Sequence, residues 1–247
     1  PFGSTDAAAA SVETPPGTGN EPVVFLPTPY GPWLNHPFQL PRNSPAFDGA
    51  VYPLGDTREL AVSDAFPDRP LYRYVLRGAW NPTDGESVAA DVRRVERATG
   101  ERIRLSAALG LPPETGSVTV RAGGEGGETY LVAEEISERL QLTVTVTERR
   151  AVLNGPNLSP AGSSDGSFAV ADRDELVVEV FVSTGTGAGS GFSYRLVFPV
   201  AHDDGAVHTL SPTVERCPVP DRCVPVGLGE SPDWATAETT FENESAA

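Results

Sequence analysis

Two cysteines are the residues in this chain most able to do chemistry. Cys217 and Cys223 are its only cysteines and lie within the segment CPVPDRC. Two cysteines alone cannot complete a four-ligand zinc site, and none of His36, His202 and His208 lies at zinc-finger spacing from them. The pair is therefore a local disulfide in a proline-braced loop, two free thiols, an interchain bridge or part of a metal site. We favour the local disulfide, which implies oxidation after export or release because the cytosol keeps thiols reduced.

Other candidate catalytic groups have weaker patterns. The run His202-Asp203-Asp204, with His208 nearby, is typical of solvated loop residues, and a weak divalent-cation site is the alternative. Ser190 lies in the glycine-rich loop GAGSG, which lacks the G-x-S-x-G pattern of a nucleophile elbow. Among the 34 acidic residues, no pair has the apolar, aromatic-flanked setting that favours glycoside hydrolysis. We therefore expect no catalytic residue, no resident metal and no cofactor.

The chain contains no lysine, and all 18 of its basic residues are arginine. This excludes a Walker A phosphate loop, a Schiff-base lysine and the S-x-x-K acylation motif. The net charge of −16 also argues against nucleic acid as a partner. One arginine cluster is dense enough to contact a phosphate or carboxylate, but we expect it to pair with acidic residues across strands. It comprises Arg93, Arg94, Arg97, Arg102 and Arg104.

The same composition indicates a habitat. In dilute buffer a net charge of −16 would make a compact fold repel itself. In molar salt the Debye length falls to about 3 Å, so this repulsion is screened. Many carboxylates, some arginine and no lysine are typical of salt-in halophilic archaea, and a high-GC genome is the alternative. Loosely bound cations would fit this surface.

The elements that would position these residues are mostly strands. Residues 140–147 alternate strictly between apolar and polar side chains, as do 194–200, which predicts half-buried strands. Residues 176–182 are nearly continuously apolar, which predicts a strand buried on both faces. Residues 118–120 and 130–132 flank a glycine-rich turn. Further expectations are short strands at 50–54 and 59–65, and a hairpin-like turn at 98–101 with a helix over 89–98 as its rival.

The ends of the chain have a different composition. Residues 1–22 are small and polar, which predicts an extended arm, and residues 23–47 combine many prolines with aromatic side chains. The segment 216–247 is interpreted as a Cys/Pro loop followed by an acidic tail. The tail is either a flexible end or, as we favour, docks on a neighbour through Trp234 and Phe241. Short strands separated by turns predict an all-β sandwich or barrel.

These features together resemble one family, the larger major capsid proteins of tailless icosahedral haloarchaeal viruses with an internal membrane. The resemblance covers the size and style of the whole chain and rests on no specific motif. It implies a jelly-roll β-barrel from 23–87 plus 151–215, with a second, smaller β-barrel inserted or stacked on it from 88–150. It also implies a structural capsid protein without catalytic residues, located in the virion.

The expected partners follow from that resemblance. They are copies of the chain itself and a smaller paralogous capsid protein in pseudo-hexameric capsomers, close to the internal viral membrane. The alternative is a secreted or cell-surface β-sandwich module of a halophile, for adhesion or carbohydrate binding. A hydrolase on a β-scaffold is a third, weaker alternative. The sequons at Asn157 and Asn243 are no more frequent than chance predicts.

Overall fold

A computed structural model describes residues 21–27, 43–54, 58–76, 90–185, 190–219, 222–227 and 231–244, and every structural statement below concerns these residues. The chain divides into two compact units, Pro1–Glu96 and Arg97–Ala247. We call them unit 1 and unit 2 and describe each by itself. Most of the predicted N-terminal arm, 1–20, and the proline-rich stretch 28–42 lie outside the described residues.

Unit 1 is built on a small mixed sheet. Its elements are β1 (Val23–Phe25), α1 (Glu59–Ala65), β2 (Leu71–Leu76) and β3 (Ala90–Val95). β1 pairs with β2 in parallel, and β3 pairs with β2 antiparallel. The predicted strand at 50–54 contributes only two isolated bridges, through Val51 and Leu54. The rival helix over 89–98 is absent, because β3 occupies most of that range.

The predicted strand at 59–65 is wrong, because this segment forms the helix α1. Its apolar residues run consecutively from Leu60 to Val62, so it lacks the period of two that marks a half-buried strand. Glu59 in the first helical turn pairs with Arg73 of β2, and both side chains are 13% exposed. This nearly buried ion pair fixes the start of the helix to the sheet of unit 1.

Unit 2 consists of strands. They are β4 (Arg97–Gly100), β5 (Arg102–Gly110), β6 (Ser117–Gly124), β7 (Gly127–Ala133), β8 (Arg139–Thr147), β9 (Arg150–Asn154), β10 (Leu158–Pro160), β11 (Ser167–Ala169), β12 (Arg173–Ser183), β13 (Gly191–Asp203), β14 (Ala206–Leu210), β15 (Thr213–Val219), β16 (Arg222–Pro225) and β17 (Ala237–Glu244). In the described residues α1 is the only helix, and none is long and apolar enough to cross a membrane.

The strands of unit 2 form two sheets. The larger sheet has the order β10-β7-β6-β12-β13-β14-β4, with β15 also paired to β13 and β16 paired to β15. The smaller sheet has the order β11-β9-β8-β5-β17. One apolar core joins the inner faces of both sheets, with Val120 and Val180 from the larger sheet and Val144 from the smaller one all at 0% exposure. Unit 2 is thus an antiparallel sandwich.

Two of the strongest sequence patterns are confirmed. In β8 the apolar residues at 140, 142, 144 and 146 are buried and the residues between them are not. In β13 Tyr194, Leu196, Phe198 and Val200 are buried in the same alternating way. The glycine-rich turn at 123–127 joins β6 and β7 as a hairpin, and Ser183 pairs with Gly191 where β12 turns into β13.

The predicted two-sided burial of 176–182 is wrong. Burial alternates along β12, and Phe181 is 45% exposed. The outward side chains of this strand are therefore partly apolar without being covered.

The predicted hairpin at 98–101 is also wrong. β4 pairs with β14 in the larger sheet, whereas β5 pairs with β8 and β17 in the smaller one. The chain changes sheet at Glu101, and Ala98 before it and Ile103 after it pack into the same core from opposite sheets.

The acidic tail forms part of the sandwich. β17 pairs with β5 over its whole length, and Phe241 packs edge-to-face on Phe198 with 6.5 Å between ring centroids. Trp234 lies 5.1 Å from Phe192, measured between ring centroids. Both predicted anchors thus pack on the apolar core of unit 2.

The all-β fold class is confirmed as a two-sheet sandwich of the general kind that includes jelly rolls. The division into units differs from the domain boundaries that the resemblance implies. Strands from 88–150 and 151–215 share both sheets, since β6 pairs with β12 and β8 pairs with β9. The boundary found by compactness lies between Glu96 and Arg97.

Candidate interaction face

Four charged residues form a row across the outer face of the larger sheet, which we call the charge row. Arg121 lies opposite Glu179, Glu179 opposite Arg195, and Arg195 opposite Glu215 in the register of neighbouring strands. They belong to β6, β12, β13 and β15. Successive strand residues point to opposite faces, and the residues next to them in β6, β12 and β13 are buried in the core. The charge row therefore points outward with alternating sign.

Arg121 is held between two carboxylates. Its Nε donates to Glu128 Oε2 at 2.8 Å, and its Nη1 donates to Glu179 Oε2 at 3.0 Å. The hydrogen bond to Glu128 is the main cause that raises the pKa of Arg121. The same bond, together with the hydroxyl of Tyr130, lowers the pKa of Glu128. This end of the charge row is a solvated ion-pair network, and such exposed pairs add little to the stability of a fold.

The other end of the charge row is less hydrated. Burial raises the pKa of Glu215, and the nearby positive charge of Arg195 only partly opposes this effect. The Nε of Arg195 is buried and has no hydrogen-bond partner among the described residues. A buried charged donor without a partner costs free energy, so among the described residues this end of the charge row is the less favourable one for the isolated unit.

Apolar side chains flank the charge row on both sides. On one side, Phe181 of β12 is 45% exposed and Val132 of β7 is 37% exposed. On the other side, Val177 and Val197 lie opposite each other in β12 and β13. Tyr130, opposite Arg121, is 36% exposed. Aromatic residues and arginine surrounded by apolar side chains are typical of protein interfaces.

The disulfide lies at one edge of this face. Cys217 in β15 is bonded to Cys223 in β16, and Cys217 lies opposite Ser193 of β13. Glu215 and the two cysteines are the one group in the described part of the chain with three potential ligand atoms within 4.8 Å of one another. Because metal ligation needs thiolates and these sulfur atoms are bonded to each other, the group offers no thiolate ligand in this state.

His202 and His208 do not come together as a ligand set, and they lie in the paired strands β13 and β14 and not in the predicted loop. Nδ1 of His202 lies 3.2 Å from the carbonyl oxygen of Ala171, and Nε2 lies 3.1 Å from that of Thr147. Nδ1 of His208 lies 3.1 Å from Thr99 Oγ1. In the described ranges, these histidines and the aspartates between them do not form a group of close ligand atoms. His36 lies outside the described residues.

The remaining sequence candidates occupy separate places. Ser190 directly precedes β13, and its carbonyl oxygen accepts a hydrogen bond from the amide of Thr184. Arg104 pairs with Glu242 across β5 and β17 at 3.4 Å, as the cross-strand interpretation of the arginine cluster predicts. In unit 1, burial lowers the pKa of Arg93, and Asp91 opposes this effect.

The charge row was not predicted from the sequence. Each member is the polar residue of an alternating strand, which is the ordinary sequence signal of a solvated face. The row exists only through the register of strands far apart in sequence, from Arg121 to Glu215. The one usable signal was the alternation of apolar and charged outward positions in β12, where Val177, Glu179 and Phe181 follow one another.

The fold and this face together define a two-sheet β-sandwich module with a mixed charged and apolar outer surface. The chain belongs to the family described as Domain of unknown function (DUF7846), whose model matches residues 22–198. The matched range includes Arg121, Glu179 and Arg195, and it ends before Glu215. Comparison with curated proteins gives no match, and neither does comparison with solved structures.

Proposed function

We propose that this chain is a non-catalytic β-sandwich module that acts outside the cytosol by binding a protein partner through the outer face of its larger sheet. The observation that carries the proposal is the charge row with its flanking apolar residues. A solvated sheet face alternates polar residues outward, whereas this face exposes Phe181, Val132 and Tyr130 beside four charges.

The energetics of the face favour a bound partner. Exposed pairs of the Arg121 type add little stability to an isolated fold. Covering the face removes apolar surface from water at about 25 cal/mol per Å², and it lets opposite charges approach Arg121 and Glu179, whose side chains are 32% and 26% exposed. Binding of a complementary partner surface therefore gains from apolar burial and from charge pairing at the same time.

The location outside the cytosol rests on the disulfide. Bonds such as Cys217–Cys223 persist in oxidising compartments and are rare where thiols are kept reduced. The net charge of −16 without lysine fits a salt-rich medium, inside or outside the cell, where screening removes the self-repulsion.

The capsid role implied by the sequence resemblance is a narrower form of this proposal. The two-sheet sandwich supports it, because a shell needs a rigid unit with a repeated contact surface. Native particles of megadalton mass that contain this chain would support the capsid form. Small complexes at a cell surface would instead support the adhesion or carbohydrate-binding module.

The binding face is tested on the native complex, using Phe181→Ser as the disrupting variant. Phe181 is already 45% exposed, so we expect the variant to fold normally and the native complex to lose mass in size-exclusion chromatography with light scattering. Ile136→Ser is the matched control, since Ile136 is 41% exposed but lies outside the strands that carry the charge row. An unchanged complex with Phe181→Ser would overturn the proposed face.

The location is tested by trapping thiols in intact cells of the organism that makes the chain. A membrane-permeant alkylating reagent is added before lysis, and the peptide that contains Cys217 and Cys223 is analysed by mass spectrometry. We expect both cysteines to escape alkylation until a reductant is added. Complete alkylation without reductant would place the chain in a reducing compartment and contradict the proposal.

A further inference from the structure

We propose that the partner of this face is a second copy of the chain, packed face to face about a twofold axis that runs parallel to the strands between β12 and β13. This inference rests on the function proposed above and names its partner. The observation that carries it is the order of signs along the charge row.

The charge row is complementary to the same four charges read in the opposite order. It reads plus, minus, plus, minus through Arg121, Glu179, Arg195 and Glu215. A twofold axis parallel to the strands keeps each row of cross-strand neighbours at the same height. In the second copy, the strands follow one another in the opposite order, so the row of one copy lies against the reversed row of the other. Arg121 then faces Glu215 of the second copy, and Glu179 faces its Arg195. Every charge meets the opposite sign, as an isologous interface requires.

The neighbouring rows are compatible with the same axis. Val177 and Val197 lie opposite each other in β12 and β13, so the axis brings Val177 over Val197 of the second copy. Tyr130 is the β7 member beside Arg121, and Pro225 is the β16 member beside Glu215. The axis brings the ring of Tyr130 over Pro225 of the second copy. These two pairs thus bring apolar surface onto apolar surface, whereas Phe181 faces Ser193 of the second copy.

Salt has an unusual effect on such a contact. Each copy has a net charge of −16, so two copies repel each other at long range in dilute buffer. At about 1 M salt the Debye length is about 3 Å, which removes the long-range repulsion but only weakens ion pairs in direct contact. Apolar burial is unaffected or strengthened by salting-out ions. The dimer should therefore form in molar salt and dissociate on desalting.

The first test is the mass of the full chain in solution. Sedimentation velocity at 3 M and 0.1 M NaCl should give a dimer, at twice 26.0 kDa, in high salt and a monomer in low salt. A monomer in 3 M NaCl across the micromolar range would overturn the inference.

The decisive test mixes two charge-reversal variants. Glu179→Arg places two positive charges opposite each other in its homodimer, and Arg195→Glu places two negative charges opposite each other. Each variant alone should be a monomer in 3 M NaCl. When the two are mixed, every position again meets the opposite sign, so the mixture should form mixed dimers. Homodimers of either variant at wild-type affinity, or no mixed dimer, would overturn the inference.

Two control variants make the same changes in net charge at positions outside the face. Glu101→Arg lies between β4 and β5, and Arg149→Glu lies between β8 and β9, where both residues are exposed. Both controls should dimerise like the wild type. Far-UV circular dichroism checks that each variant folds. If a reversal prevents folding, Glu179→Gln and Arg195→Gln replace the pair and should each weaken dimerisation at least tenfold, and an unchanged affinity would overturn the inference.

The two proposals fail in different ways. If Phe181→Ser breaks a native complex while the purified chain stays monomeric in high salt, the face is functional and its partner is another protein. If the purified chain dimerises but the reversal variants behave like wild type, the dimer uses another surface. Both outcomes overturn the symmetric contact and leave the thiol-trapping result untouched.

Discussion

The hydroxyl group of Tyr194 donates a hydrogen bond of 2.7 Å to the backbone carbonyl oxygen of Gly110. Tyr194 lies in β13 of the larger sheet, and Gly110 ends β5 of the smaller sheet, so the bond crosses the core of unit 2. The side chain of Tyr194 has 0% exposure. Position 110 also requires glycine, because a Cβ there would lie 1.8 Å from the carbonyl oxygen of Trp234. This directional bond thus fixes how the two sheets meet.

Replacing Tyr194 with phenylalanine should destabilise unit 2. The ring would still fill the core, but the buried carbonyl oxygen of Gly110 would lose a partner, which costs about 1–3 kcal/mol. Urea unfolding followed by fluorescence measures this change. Tyr130→Phe is the control, since its hydroxyl group contacts Glu128 at the surface. A Tyr194→Phe variant as stable as the wild type would mean that the bond across the core is energetically neutral.

Tyr194 should also make the fold sensitive to alkali. Burial raises the pKa of Tyr194 to about 12 from 10.0, although Arg216 partly opposes the shift. The unfolded chain therefore loses this proton at lower pH than the folded chain, so stability falls as pH rises from about 10 to about 12. The Tyr194→Phe variant should show a smaller fall over that window. Part of the fall should remain in unit 1, where burial also raises the pKa of Tyr74 to about 12.

Asp174 should be essential for one end of the sandwich. Its carboxylate is 8% exposed and accepts hydrogen bonds from the amides of Glu125 at 2.8 Å and Ala171 at 3.1 Å. These bonds tie the β6–β7 turn to the start of β12. Hydrogen bonds to a charged group contribute about 1.5–3 kcal/mol each, so Asp174→Ala should lower the free energy of unfolding by about 3 kcal/mol.

The neighbouring Asp172 provides the control for that substitution. Asp172 is exposed. Its replacement by alanine removes one negative charge, as Asp174→Ala does. Asp172→Ala should stay within about 0.5 kcal/mol of the wild type, as surface substitutions usually do. A comparable loss in both variants would point to net charge and not to the buried hydrogen bonds.

Glu215→Gln should stabilise the isolated monomer at neutral pH. Burial raises the pKa of Glu215 above 4.5, so folding disfavours its charged form and stability falls as pH rises through the shifted value. Glutamine lacks this fall, and the two proteins should converge as the pH drops below about 4.5. Unfolding at pH 7 and pH 4, at low protein concentration and low salt, measures the difference. A less stable variant at pH 7 would mean that the attraction of Arg195 outweighs burial.

The sequence predicts strands well where one face of the strand packs on the core and the other face is exposed to water. Leu140 to Thr147 and Tyr194 to Val200 alternate because each strand has one side on the core and one side in water. The Cys217–Cys223 spacing favoured the disulfide that the structure contains. These features depend on neighbours in sequence, which a single chain displays directly.

Features that depend on distant partners were not predictable. The segment at Glu59 is a helix held by Arg73, and the change of sheet at Glu101 follows from pairings with β14 and β17. Val177 and Phe181 extend an apolar run, which suggests a strand buried on both faces. The sequence of that strand does not show that no other layer of unit 2 covers its outer face at Phe181. The charge row has the same origin, since its order of signs arises from the register of four strands.

The position of β17 has a consequence for synthesis of the chain. Its partner β5 is made much earlier, and the ion pair between Arg104 and Glu242 joins residues 138 positions apart. Until β17 arrives, one edge of β5 presents unpaired amide and carbonyl groups, which are prone to pair with other chains. Contacts of such high sequence separation also slow folding. The smaller sheet can therefore complete this edge only after the last described strand has been synthesised, and until then the open edge of β5 is the site where the nascent chain is most exposed to pairing with other chains.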